Sequence, residues 1–273
     1  PSLRMDAFSV GLAAALEPVR RGGLTFAPEA GTQRLRNVIN KGVSDEDIES
    51  TLEAAFSRGW ERIKLYFMMG LPTETREDLE GIAKISERAA AIGRAHKKRT
   101  EIAVSIAGFV PKPHTPFQWE KQATVEELSE RGRFVKRLVN NRHVTVRYHE
   151  SEQTWLEGVF ARGDRRLAGV IHEAWKAGAR FDGWTETFRP DVWRAAFVAG
   201  GVDPDWFVRR ERTRDEPFPW DHIDIGVTRE YLWRERERSM DGLLTPDCRF
   251  GECHGCGWER NGCAVFERKA ADA

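Results

Sequence analysis

Three apolar runs set apart by stretches of helical period constrain this chain more than any other feature. The runs are "GGLTFAP" (Gly22–Pro28), "RIKLYFMMG" (Arg62–Gly70) and "EIAVSIAGFV" (Glu101–Val110). The first reads as a strand ending at its proline, and the other two, nearly continuous in apolar residues, read as strands buried on both faces. Between the first and second lie a short helix, "GTQRLRNVI", with Leu35, Val38 and Ile39 on one face, and a longer one, "SDEDIESTLEAAFSRGW". Ser44 is placed to cap the longer helix and acidic residues fill its first turn. Ile48, Leu52, Ala55 and Phe56 form its apolar stripe, and Gly59 ends it. A third helix is expected from Thr75 to Ile92, with Leu79, Ile82 and Ile85 facing inward and Gly93 as its stop. Strands joined by helical crossovers build parallel sheets, and either a barrel or a doubly wound sheet satisfies the pattern. Three strands alone leave open edges, so more sheet is expected before residue 1 or later in the chain. "HVTVRYHE" (His143–Glu150), after a helix over Glu126–Val139, is a candidate for it.

From about residue 151 to 240 the text changes to helical segments rich in Trp and Arg, such as "RRLAGVIHEAWKAG" and "DVWRAAFVAGG". The expected division is therefore 1–140 for the sheet region, 141–245 for a mainly helical extension, 246–266 for a cysteine-rich knuckle and 267–273 for a tail. Lys+Arg and Asp+Glu both number 43, so the formal net charge is zero. That balance argues against a large phosphate-tracking surface and makes nucleic acid an unfavoured partner. No stretch approaches the roughly 20 apolar residues of a membrane span, and no export signal is visible, so a cytoplasmic setting is expected. The chain opens on Pro1 rather than Met, which suggests an excerpt of a longer protein.

In parallel α/β folds ligands collect at the carboxyl ends of the strands. "APEAGTQR", "MMGLPTET" and "GFVPKPHTPF" occupy those ends. In the first, Glu29 leaves the strand, Gly31 lets the backbone turn, and the free N–H groups of the following helix favour an anion, which Arg34 would reinforce. Equally, Glu29 caps the helix and Arg34 points to water. In the second, Gly70 allows close approach to the backbone, Pro72 fixes the turn, and Glu74 stands favourably at a helix start. Taken alone, that stretch is a sound strand-to-helix connection. His114, in the proline-rich third stretch, is more readily structural than functional.

All four cysteines lie in "CRFGECHGCGWERNGC", as Cys248, Cys253, Cys256 and Cys263. Gly251, Gly255, Gly257 and Gly262 interleave them and supply tight turns that let thiolates converge. The spacing suits a structural Zn²⁺ or an auxiliary iron–sulfur cluster. His254 is a less favoured ligand because it sits between two cysteines, and disulfides do not suit a chain without an export signal.

Taken together, "APEAGTQRLRNVINKG", "RIKLYFMMGLPTET" and "SIAGFVPKPHTPFQW" resemble the later part of a radical S-adenosylmethionine enzyme, nearest to the cobalamin-binding type of unassigned reaction. The matched blocks cover about residues 1–120. The resemblance implies a partial TIM-like barrel in which a [4Fe-4S] cluster binds adenosylmethionine and cleaves it to a 5′-deoxyadenosyl radical. Hydrogen abstraction or, with cobalamin, methyl transfer on a substrate not identified by the sequence would follow, with a flavodoxin or ferredoxin as reductant. It places Glu29 and Gly31 near the amino-acid or ribose part of adenosylmethionine and Arg34 on its carboxylate. Gly70 to Glu74 would lie beside the adenine, with Glu74 stabilising the turn, and His114 toward the pocket mouth. The family's Cys-x3-Cys-x2-Cys motif is missing, since no cysteine precedes Cys248. On this reading the motif and any cobalamin domain lie upstream of Pro1. The alternative is a non-catalytic barrel whose zinc knuckle binds a protein or RNA.

Overall fold

The structure, a computed structural model, describes residues 2–3, 23–96 and 99–263. The chain separates into two compact units, 1–109 with 125–151, and 110–124 with 152–273. The stretch before Gly23, whose text reads as a loop and helix running into a strand, lies outside the described residues apart from Ser2 and Leu3, as does the tail 267–273.

In the first unit one sheet contains β1 (Ser2–Leu3), β2 (Leu24–Glu29), β3 (Arg62–Met69), β4 (Glu101–Gly108) and β5 (Val144–Tyr148). Every neighbouring pair is parallel, and the strands stand in the order of the chain with no reversal. Because β1 is so short, four strands carry the sheet. The additional strand expected in "HVTVRYHE" is β5, paired with β4 from Ile102↔Val144 to Ile106↔Tyr148. The expected boundary at 140 is therefore corrected: β5 needs β4's backbone groups, so the sheet unit runs to 151.

The helices are α1 (Gln33–Val38), α2 (Asp45–Ser57), α3 (Arg76–His96) and α4 (Val125–Leu138). At the start of α2, Ser44 Oγ accepts from Asp47 N at 3.0 Å and the Asp47 carboxylate accepts from Ser44 N at 2.8 Å. This reciprocal cap satisfies two otherwise orphaned donors and is worth about 1 kcal/mol. Ile48, Leu52, Ala55 and Phe56 are all buried, as the stripe predicts. The helix α3 packs against both α2 and α4, which makes one layer.

That single layer corrects the expectation of strands buried on both faces. Ile63, Leu65, Phe67 and Met69 of β3 and Ile102, Val104 and Ile106 of β4 are buried. Lys64, Tyr66 and Met68, with Ala103, Ser105 and Ala107 alongside, are only half-buried. Two further expectations change. The strand β2 does not stop at Pro28 but runs to Glu29, and Pro28 falls where the pairing with β3 shifts register, so no ladder bond needs its missing N–H. Gly93 does not end α3, which continues to His96; a Cβ at Gly93 would stand 2.4 Å from Thr100 Cγ2 and 2.8 Å from the Phe56 ring. Its role is close packing.

The second unit carries α5 (Ser151–Arg162, from Glu152 on), α6 (Leu167–Lys176), α7 (Pro190–Ala199), α8 (Asp205–Val208) and α9 (Arg229–Met240). Short 3-10 turns cover Pro116–Trp119 and Trp258–Asn261. Trp119 is fully buried among Phe218, Trp220 and Leu232, with its ring centroid 5.6 Å from that of Phe218 and 5.1 Å from that of Trp233. Gln118 Oε1 accepts from Trp220 Nε1 at 2.8 Å and from His114 N at 3.0 Å, which joins the proline-rich loop to this cluster. Arg162, also fully buried, donates to the carbonyls of Phe207, Gln118, Glu120 and Arg210. No helix among the described residues is long and apolar enough to cross a membrane.

Candidate functional site

The carboxyl ends of β2 and β3 lie side by side, and their two loops are tied by one acid that the sequence did not single out. Asp78 accepts from Thr75 N at 2.7 Å, from Thr75 Oγ1 at 2.9 Å, and from Thr32 Oγ1 and Arg34 Nη2. Burial acts to raise its pKa, but the bonds from Thr32, Thr75 and Arg34 outweigh that and hold the carboxyl below the usual range. The Arg34 guanidinium also donates to Thr73 Oγ1 at 3.1 Å and to Thr73 O at 2.9 Å. Arg34 does not simply point to water: its side chain, 46% exposed, forms an ion pair with Asp78. The arginine joins the two loops.

Glu29 holds a left-handed backbone, φ 71°, at the register shift that ends β2. Such a conformation is uncommon for a residue with a Cβ and turns the chain sharply out of the strand. Its carboxylate pairs with Lys41 at 3.3 Å. The cap of α1 is Thr32, whose Oγ1 accepts from Leu35 N at 3.2 Å, and not Glu29. Gly31, expected to let the backbone turn, also lets it touch α3: a Cβ there would lie 2.1 Å from Asp78 O and 2.4 Å from Ile82 N, beside Gly81.

Gly70, at φ 82°, donates its N–H to Glu74 Oε2 at 2.9 Å, and Glu74 N donates to Leu71 O at 3.1 Å. Glu74 thus closes the turn after β3, as the resemblance implies. Its side chain is only 2% exposed, and Oε1 has no hydrogen bond, with Arg131 Nε 3.4 Å away. Burial pushes this carboxyl up from 4.5 to about 7, against the lowering effect of the Gly70 bond and Arg131. It borders a cavity of about 650 Å³ between the start of α3 and α4, walled by Arg76, Arg131 and Phe134. A carboxyl poised near neutrality is suited to exchanging a proton.

Between these loops and the amino end of the sheet runs its half-buried face. Lys64 Nζ sits 4.4 Å from the Tyr66 ring centroid, and Tyr66 is in register with Ser105 and, beyond it, Arg147. Alternation in "RIKLYFMM" was the signal for this face, since Lys64, Tyr66 and Met68 fall at every second position. Small residues at Ala103 and Ala107 leave β4 unobstructed on the same side. A ring or a sulfonium-bearing chain laid here would meet an amine, a phenol, a thioether and a hydroxyl. The half-buried face and the Glu29 end therefore offer polar and polarisable groups at the strand ends, while Arg34 is engaged with Asp78 and Thr73.

In the second unit His114 takes φ 55°, and its Nε2 is buried without a hydrogen-bond partner. All four cysteines are free thiols, with Cys253 exposed and Cys248, Cys256 and Cys263 half-buried. Gly255, Gly257 and Gly262 do adopt positive φ, giving the expected tight turns. Thr228 N donates to Cys256 O at 2.8 Å, which anchors the segment to the start of α9. Tyr231 on α9 is pushed up to about 12, first by burial and then by Glu235, and Cys256 and Cys248 are near enough to add to the rise, so two of the cysteines share its surroundings. His254 Nε2 lies 2.8 Å from Pro246 O and so is engaged with backbone. Among the described residues no three His, Cys, Asp or Glu side chains are gathered as a metal site. The donor set has the chemistry for a soft metal, while the four-thiolate knuckle expected from the spacing is not assembled in this arrangement.

No protein-family model matches this chain. An uncharacterized protein of Methanocaldococcus jannaschii is 32% identical to it over 172 residues, a match taking in 62% of this chain and 36% of that protein. The chain thus spans little more than a third of the length of the relative it matches.

Proposed function

We propose that the first unit is the later arc of a partial TIM-like barrel in a radical adenosylmethionine enzyme, of the cobalamin-binding type that its strand-end sequences resemble. The observation that carries this reading is the strand order. A doubly wound sheet reverses its order at the ligand crevice, whereas this all-parallel sheet runs β1-β2-β3-β4-β5 with its helices in one layer, as in a barrel wall. In a barrel the face away from the helices lines the interior, and here that face carries Lys64, Tyr66, Met68 and Ser105.

When bound, a [4Fe-4S] cluster and adenosylmethionine supply a 5′-deoxyadenosyl radical able to take a hydrogen atom from a substrate. The cysteines for that cluster would come from outside this chain, as would a cobalamin domain. Within the chain, Glu29 at the end of β2 would accept from the ammonium or ribose of adenosylmethionine. Gly70 and its turn, closed by Glu74, would hold the backbone edge beside the adenine. Arg34, through Asp78 and Thr73, positions the two loops. The substrate would lie over Tyr66 and Ser105. Cys248, Cys253, Cys256 and Cys263 would hold zinc or an auxiliary cluster once drawn together by the ion.

The test begins with the coding sequence upstream of Pro1, in which a Cys-x3-Cys-x2-Cys motif is expected. The full-length protein, reconstituted anaerobically with iron and sulfide and reduced chemically or by flavodoxin, should release 5′-deoxyadenosine from adenosylmethionine. A Glu29→Gln variant should bind adenosylmethionine more weakly while retaining its cluster absorbance. A start codon close to Pro1 with no upstream motif, or a loaded enzyme that leaves adenosylmethionine intact, refutes the reading. Metal analysis decides the tail: one zinc in a colourless chain excludes the auxiliary cluster.

A further inference from the structure

The second unit contains a cavity of about 630 Å³ whose charges do not balance. The guanidiniums of Arg162 and Arg212 line its inner wall, and that of Arg210 lies close enough to act on both. The nearest carboxylate is Glu216, and Arg210 takes it in a two-pronged pair at 2.6 and 2.7 Å. Asp164, at the cavity edge, is held by Arg166 at 2.8 and 3.0 Å. Arg162 is satisfied by the backbone carbonyls named above. Arg212 reaches Glu216 only at 3.8 Å and otherwise lies over the Phe218 and Trp220 rings, 5.2 and 5.3 Å from their centroids.

Its side chain is 2% exposed, one Nη2 bond at 2.8 Å reaches Arg162 O, and Nε has no hydrogen-bond partner although Glu216 Oε1 stands 3.8 Å away. A buried N–H of a charged group without an acceptor is unfavourable by more than a neutral one, and a guanidinium fork is shaped for an oxyanion. Arg165 and His222 stand exposed at the mouth, and Trp206 and Phe218 give the cavity apolar walls. Burial, and after it the neighbouring guanidiniums, lower the pKa of Arg162 to about 9 and of Arg212 to about 10, with Glu216 opposing the fall at both. An anion in the cavity would relieve this repulsion.

We propose that this cavity binds the phosphate or carboxylate group of a small organic anion, held by the Nε–H of Arg212, with Arg165 at the mouth and Trp206 and Phe218 along the ligand's body. The site is independent of adenosylmethionine chemistry and would serve a substrate anchor or an effector in either a catalytic or a non-catalytic protein.

The experiment follows the arginine Nε–Hε resonances of this chain during titration with inorganic phosphate, pyrophosphate or succinate, each against sodium chloride of equal ionic strength. The expected result is a saturable shift of the Arg212 signal in the millimolar range with at least one anion, and a parallel rise in Tm. The phosphate and succinate arms tell the two anion chemistries apart. Arg212→Gln should weaken binding about tenfold or more, the scale of one lost charge-assisted hydrogen bond. Arg165→Gln, on the exposed lip, should weaken it severalfold without affecting folding, and decides the matter if Arg212→Gln does not fold. Arg94→Gln, on α3, should change nothing. If no anion shifts Arg212 beyond the chloride control, or if the two cavity variants bind as the parent does, the proposal is overturned.

Discussion

Replacing Glu74 by Gln gives a direct reading of how this chain responds to pH. The side chain is 2% exposed and closes the turn after β3 through Gly70. Burial is the leading reason its pKa rises from 4.5 to about 7. In the unfolded chain the carboxyl titrates near its ordinary value, so between the two the folded state binds the proton more tightly. Stability from this group is therefore fully present below about pH 4.5 and is lost as pH rises through about 7. A gap of about 2.5 pH units at 1.36 kcal/mol each sets the loss at about 3 kcal/mol. Gln keeps an oxygen for the Gly70 N–H but carries no charge to bury. In urea unfolding of this chain from pH 4.5 to 8, E74Q should lose this component of the pH dependence and exceed the parent by about 1–3 kcal/mol at pH 8. A carbon-13 titration of the Glu74 carboxyl should give a midpoint near 7. Parallel stability profiles for the parent and E74Q, or a midpoint in the ordinary carboxylate range, would refute the reasoning.

Gly31→Ala should destabilise by about 1–3 kcal/mol or more, because its Cβ meets the backbone of α3 and not a movable side chain; chemical denaturation reads this directly. Asp78→Asn should lower stability at pH 7 by about 2 kcal/mol through the loss of charge-assisted bonds to Arg34 and Thr75, and should remove the fall in parent stability below about pH 4. Trp220→Phe leaves Gln118 Oε1 with one donor fewer and should cost about 1–2 kcal/mol, seen as a lower urea midpoint. Arg162→Met orphans the carbonyls of Phe207, Gln118, Glu120 and Arg210 and should be the most damaging of these, at about 3–5 kcal/mol.

The first unit was the more legible part of the sequence because its signals are local. Ser44 and Asp47 form the cap their spacing promises, and the α2 stripe is buried residue for residue. Period-2 polarity in β3 was present but masked, since Tyr66 and Met68 count as apolar while lining the less buried face. What could not be read locally depends on which backbone passes nearby. Gly31 read as a turn glycine, and its contact with Gly81, about fifty residues away in the chain, carried no local signal. Arg34 and Glu29 were recognised as strand-end residues, but their partners, Asp78 and Lys41, are chosen by loop geometry. Asp78 itself carried no sequence signal beyond standing in a first helical turn. In the second unit Arg162 and Arg212 were two among many arginines, and only the packing of α5 with the segment around residue 212 sets them apart.

Asp78 also bears on how this sequence can drift. Thr32, Arg34 and Thr75 all direct their hydrogen bonds to one carboxylate, so none of the four positions varies alone without leaving a donor or the acid unanswered. Among relatives of this protein the quartet is expected to change as a set, and a relative that keeps Arg34 while replacing Asp78 should carry a new acid within reach of the guanidinium. Chimeras that exchange the β2–α1 loop between relatives should fold only when the α3 start is exchanged with it.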